Sequence, residues 1–199
     1  LVAGLILGVA GALFRRGSQW AEKNKPAGNG ILWMMPLAGT LTAVVAIWVP
    51  QVMGNGRATA QLSFSSNADL AVIPILLLSF AAKAIVTLLT IRSGASGGVL
   101  QPGIALGASG GAGLGILWMQ IFHTNSFGMY ALLGACALLA ASQQAPLMAI
   151  CQVMELADAP INLFVPLGFA VAVSAFTASH LSGPLAKLRV SAPKASDVH

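Results

Sequence analysis

From Leu70 to Ile91 the chain reads LAVIPILLLSFAAKAIVTLLTI, with Lys83 as its single charge. A run of this kind suits a helix that crosses a bilayer, since at ~1.5 Å per residue it covers a ~30 Å hydrocarbon core. Ile31 to Val49 (ILWMMPLAGTLTAVVAIWV) and Ala159 to Leu181 (APINLFVPLGFAVAVSAFTASHL) read the same way. Charged residues are 8% of the 199, and mean hydropathy is +0.84. Soluble domains carry roughly a quarter charged residues, and so few charges could not cover the surface of one this size. These patterns predict an all-α, polytopic protein, multi-pass in the cell membrane, with the lipid bilayer as its surroundings.

The charges that exist sit at the ends of apolar runs. Arg15, Arg16, Lys23 and Lys25 flank the run Leu1 to Phe14, and Lys187, Arg189 and Lys194 follow the last one. This is the positive-inside pattern, and it predicts that the first basic loop and the C-terminus are both cytoplasmic. The formal net charge of +5 gathers on no face suited to phosphates, so nucleic acid is not a partner. Cys136 and Cys151 lie in apolar segments and read as small buried hydrophobes. His123, His180 and His199 match no ligand spacing, so no metal is expected. There is no metalloprotease motif, nucleophile elbow or carboxylate cluster. The chain is therefore read as no enzyme, with no cofactor. Trp20, Trp33, Trp48 and Trp118 stand near segment ends, as an interfacial belt would place them.

Between the full spans the apolar segments are broken and short. Leu1 to Phe14 has Gly4, Gly8 and Gly11 on one small face suited to close helix contact, and the polar stretch RRGSQWAEKNKPAGNG is expected to end it. Pro36 is expected near the start of its helix, where a missing N–H costs least. Pro50, Gly54 and Gly56 break the next loop, and Asn67 or Asp69 can cap the helix after it. YALLGACALLAA (Tyr130 to Ala141) and APLMAICQVMELAD are each too short to span alone and read as half-length helices. Broken helices at membrane depth are tolerated where protein or a water-filled cavity covers their ends. A charge such as Lys83 at that depth faces protein or water, or snorkels from a tilted helix.

The densest break is GASGGVLQPGIALGASGGAG, Gly94 to Gly113. Ser93 to Gly98 cannot be steady helix, whereas Gln101 to Gln120 can, with Pro102 suited to a first turn. A helix beginning near Val99 leaves up to four N–H groups unpaired at its positive end. Glycines before it let backbone approach a ligand closely. Such a terminus, free of formal charge, attracts an anion without trapping it. Tight helix packing explains the glycines equally well, and Gly103, Gly107, Gly111 and Gly115, at every fourth position, give the helix a smooth face. A nucleotide loop does not fit, because neither GxGxxG nor a Gly-Lys-Ser/Thr sequence is present.

Gly97, Gly98, Val99, Leu100, Gln101 and Pro102, followed by Leu106, Gly107, Ala108 and Gly111, resemble the second-half signature of the ClC family of voltage-gated chloride channels and H+/Cl− exchangers. There the pattern is roughly Gly-Gly-Ile-Phe-x-Pro and then LxxGAxxG. GACALLAASQQAPLMAICQVMELAD, Gly134 to Asp158, resembles the family block GAAALLAASxRAPLTAIxLVxEMT, and it carries Pro146 and Glu155. LILGVAGALFRR and VPQVMGNG resemble the start of the same half. The resemblance spans nearly the whole chain.

The resemblance implies a ClC-type half-repeat. Residues 1–190 correspond to the second half of the transmembrane domain, including its short last helix, and 191–199 to a disordered tail. Family proteins are homodimers with one pore per subunit, so a second copy and a missing N-terminal half are implied partners, and the chain is expected to be part of a longer protein. Backbone amides at Val99 and Leu100 would face chloride or a similar anion, within a site that includes Gly97, Gly98, Gln101 and Pro102. Leu100 stands where the family has Phe, which changes the apolar wall of the pathway. Ala186, in SGPLAKL, stands where the family's last helix often has an anion-contacting tyrosine. Lys83 resembles a basic position of this region, read either as a structural pairing or as a source of positive potential. Gly107, Gly111, Pro146 and Glu155 are structural or pathway positions, Glu155 as an anchor or cap partner. The function implied is transport of chloride or a related small anion, by a channel or a proton-coupled antiporter. A non-conducting structural or vestigial membrane fragment is the alternative, and broken helices alone would also suit a transporter of organic solutes.

Overall fold

Helix α1 spans Val2–Lys23 and does not stop where its apolar run stops. The helix ends inside the polar stretch RRGSQWAEKNKPAGNG expected to close it, but only after that stretch's first nine residues, Arg15 to Lys23, have continued it. Arg, Gln, Ala, Glu and Lys are good helix formers, and Gly17 alone costs only ~1 kcal/mol. The first residue unable to continue the ladder is Pro26. The structure is a computed structural model that describes residues 2–26, 30–48, 73–95, 98–122 and 127–186, with backbone alone at Phe127 and 182–186. The loop at Pro50, Gly54 and Gly56, the caps Asn67 and Asp69, Gly97, and the 191–199 tail lie outside the described residues.

The chain continues through α2 (Gly30–Trp48), α3 (Ile73–Arg92), α4 (Leu100–Phe122), α5 (Phe127–Gln143) and α6 (Pro146–Leu156). A 3-10 turn, Ile161–Leu163, then leads into α7 (Phe164–Ala186). Every described element is helical. Among the described residues four stretches are long and apolar enough to cross a membrane: Gly30–Trp48, Ile73–Arg92, Leu100–Phe122 and Ile161–Leu181. The protein is thus an all-α, multi-pass membrane protein. α5 and α6, at 17 and 11 residues, are the short helices expected between them. Pro36 lies inside α2, in its second turn rather than its first, so the Leu32 carbonyl loses its helical partner.

Small residues set how closely the helices pack. α4 and α5 form an antiparallel pair: Gly103 meets Leu139, Gly107 meets Gly134 and Ala135, and Gly111 meets Tyr130 and Gly134. A Cβ added at Gly107 would stand 2.6 Å from the Ala135 Cα, closer than any side chain allows. α1 and α7 run parallel: Gly4 lies against the Ala170 carbonyl, and Gly8 against that of Ser174, 2.9 Å from an added Cβ in both cases. Gly11 faces Ala141 and Leu138 of α5. Ser174 Oγ donates to the Ala137 carbonyl at 2.6 Å in the buried interior, tying α7 to α5. Around these contacts Ile104, Ala135, Leu139, Ile150, Val153, Leu167 and Val171 form the main apolar core.

The breaks between short helices are tight. Gln144 takes φ 55°, its N–H closing α5 on the Ala140 carbonyl at 2.8 Å, and Pro146 opens α6 at its first position. Asp158 takes φ 47° after α6, and the Ala159 N–H reaches back to Met154 O at 2.9 Å. These are helix ends of the left-handed type built without glycine.

Candidate functional site

α3 ends in a reversal. The Ser93 N–H donates to Leu89 O at 2.9 Å, the Ser93 Oγ to Thr90 O at 2.7 Å and the Gly94 N–H to Ile91 O at 3.2 Å. Gly94 has φ 92°, which only glycine adopts without strain. The Arg92 guanidinium lies 4.9 Å from the centroid of the Trp20 ring, fastening the end of α3 to α1. The chain then returns to begin α4.

At that start the first bond of the α-helical ladder is Gly103 N–H to Val99 O, at 3.0 Å. The N–H groups of Val99, Leu100 and Gln101 precede it and have no partner within the helix. Pro102 has no N–H to offer. Three donors and the positive end of a 23-residue helix therefore converge on one spot. Val99, Leu100, Gln101 and Pro102 are half-buried and Gly98 is exposed. A Cβ at Gly98 would meet nothing within 4 Å.

This separates the two readings of the glycine-rich stretch by position. Gly103, Gly107, Gly111 and Gly115 lie in the body of α4 and pack against α5. Gly98 packs against nothing described, so close helix contact does not account for it.

A cavity of about 540 Å³ opens at the helix start. Val99 lines it together with Ala95 and Ile91, Ser142 and Gln143 at the end of α5, Arg15, Ser18, Gln19 and Glu22 from α1, and Lys25 just past the end of α1. The antiparallel α4–α5 pair brings the beginning of one helix beside the end of the other. The continuation of α1 past Phe14 supplies the polar wall. Arg15, Ser18, Gln19 and Glu22 follow i, i+3, i+4, i+7 spacing, so they share one helix face. That face continues the Gly4, Gly8, Gly11 stripe: small where α1 touches other helices, polar where it meets the cavity. Sequence reasoning took Arg15 and Lys25 as flanking charges only. The heptad-like continuation of the glycine stripe was the signal that could have placed them.

The other candidate positions fall elsewhere. Lys83 is 4% exposed, on the buried face of α3 with Ser79 and Thr87, so its head does not snorkel out of the described fold. Gly107 and Gly111 are in the α4–α5 contact. Pro146 lines a second hollow of about 260 Å³ with Ala140, Gln144, Ala175 and Ser179. Glu155 is exposed on α6, and its backbone carbonyl, not its carboxylate, accepts the capping N–H of Asp158 at 3.4 Å. Ala186 is the last residue of α7, which runs on unbroken through Ser182 and Pro184. One turn earlier, the Arg16 guanidinium donates to the Leu181 carbonyl. No group of three or more His, Cys, Asp or Glu residues that could hold a metal occurs among the described residues.

Comparison with known proteins adds two findings. A match to the voltage gated chloride channel family covers residues 1–179. Over 167 residues the chain is 32% identical to the H(+)/Cl(−) exchange transporter ClcA of Cronobacter sakazakii (strain ATCC BAA-894), an alignment taking in 79% of this chain and 35% of that protein. The chain spans about a third of the length of the curated relative it matches.

Proposed function

The chain belongs to the voltage gated chloride channel family, and from that premise we propose that it forms part of a membrane pathway for chloride or a related small anion. The observation that carries this reading is the start of α4. There N–H groups without a partner inside the helix follow an open glycine, and Val99 lines a polar cavity. Partial charges of this kind bind an anion weakly enough to release it, which conduction requires. Val99 and Leu100 are the proposed amide donors. Gly98 keeps the approach clear, and Pro102 starts the helix without an unused N–H of its own. Gly97 completes the signature before it.

Ala186 stands where the family's last helix often has a tyrosine, so the proposed site relies on backbone donors. We take the full protein to include a further half that completes the pathway, and a second copy as its partner. α2, only 11% buried within this chain, leaves ample apolar surface for lipid or for that further protein. Channel and proton-coupled antiporter differ in one observable, proton movement against chloride. The name of the Cronobacter relative makes coupled exchange the form to test first.

The experiment is reconstitution of the intact protein in liposomes, with efflux of chloride, nitrate and fluoride recorded beside lumenal pH. Chloride efflux supports the proposal, and accompanying proton uptake assigns exchange. Absence of flux for all three anions contradicts it and favours the structural, non-conducting alternative.

A further inference from the structure

Of the charges lining the large cavity, two offset each other. Lys25 Nζ stands 3.7 Å from Glu22 Oε1. Arg15 lines the same space and makes no ion pair with a described residue. Its place in α1 sharpens the contrast. Lys23 and Lys25 sit at the C-terminal end of the helix, where cations compensate the dipole. Arg15 lies two turns earlier, where no such compensation applies. Its neighbour Arg16 points another way and is engaged by the Leu181 carbonyl. Arg92 is stacked over Trp20. Ser18 and Ser142 spend their hydroxyls on the carbonyls of Phe14 and Leu139, at 2.8 and 3.1 Å. Among the described residues that line the cavity, Arg15 is therefore the one formal charge without an opposite partner. At ~30 Å³ per water, a cavity of about 540 Å³ admits an ion with its hydration shell.

We propose that Arg15 is a selectivity-determining residue of this pathway: it concentrates small monovalent anions in the cavity, next to Val99, and depletes cations. The proposal rests on the anion-transport reading for its purpose, but the potential it predicts can be measured without transport. A single charge facing a part-open, low-dielectric wall raises local counter-ion concentration, and the effect fades with ionic strength.

The test uses the intact protein with Cys151→Ser, since that cysteine is exposed rather than buried as its apolar segment suggested, and with Gln143→Cys as a reporter in the cavity wall. Its rates of modification by an anionic sulfonatoethyl and a cationic trimethylammonioethyl methanethiosulfonate are compared at low and high salt. With Arg15 present, the anionic reagent is favoured relative to a free thiol in solution. Arg15→Gln lowers the anionic-to-cationic rate ratio about five-fold, and high salt shrinks that difference. Arg15→Lys keeps the ratio, which also guards against a folding defect in the glutamine variant, and Arg16→Gln leaves it unchanged. A ratio that is the same in Arg15→Gln and the parent overturns the proposal. Because labelling needs no flux, failure of the transport reading shows as absent chloride efflux with the ratio intact. Failure of the role of Arg15 shows as an unchanged ratio with efflux intact.

Discussion

Glycine does two different jobs within ten residues of this chain. At Gly107 it is a requirement of contact, because the backbone of Gly134 and Ala135 occupies the place a side chain would take. At Gly98 the space is open, and on the proposed function glycine there would give access to the N–H groups that follow. Gly107→Leu is accordingly expected to force α4 and α5 apart and destabilise the protein by about 3 kcal/mol or more, at or beyond the upper end of ordinary overpacking. A large fall in the thermal midpoint in detergent would register this, and an unchanged midpoint would refute the packing assignment. Composition could not distinguish the two glycines, since the stretch reads as uniformly small. Periodicity could: the every-fourth-residue spacing begins at Gly103, and Gly98 stands outside it.

Among the elements, the helix breaks were largely legible because each has a local cause. Proline at position 146 opens α6, and Pro160 precedes the turn into α7. The end of α1 falls within the polar stretch that was expected to close it, but Arg15 and Arg16, read as loop residues, are helical, because propensity carries the helix on to Lys23. The cavity was not legible at all. It forms where the end of α3, the start of α4, the end of α5 and the second half of α1 converge, and these segments are far apart in sequence. Elsewhere in the bundle the Ser174 hydroxyl on the Ala137 carbonyl ties α7 to α5. Hydrogen bonds between membrane helices contribute roughly 0.6–1.7 kcal/mol. Ser174→Ala should therefore lower stability by about 1 kcal/mol, read as a modest shift in a detergent unfolding titration. A loss near 4 kcal/mol would mean that the serine supports more than this one bond.

Across the whole molecule, parallel packing of α1 on α7 puts the basic half of α1 and the end of α7 at the same end of the bundle, joined by Arg16 and Leu181. The cavity with Arg15 opens at this end as well. An anion arriving from that side would meet the cationic wall first and the helix start next. The apolar surfaces of α2 and the outer face of α7, with Val165, Phe169 and Phe176 exposed, are left for lipid or further protein. The central claim is that the anion passes the start of α4. The measurement that tests it most directly is chloride efflux from liposomes carrying the intact protein with Gly98→Phe, beside the unaltered protein. Since a Cβ at Gly98 meets nothing, the variant should fold with an unchanged thermal midpoint, and efflux should fall by about tenfold or more, as blocking a site worth at least ~1.4 kcal/mol would produce. Efflux equal to that of the unaltered protein, with the phenylalanine in place and the fold intact, would mean that the anion does not pass this helix start.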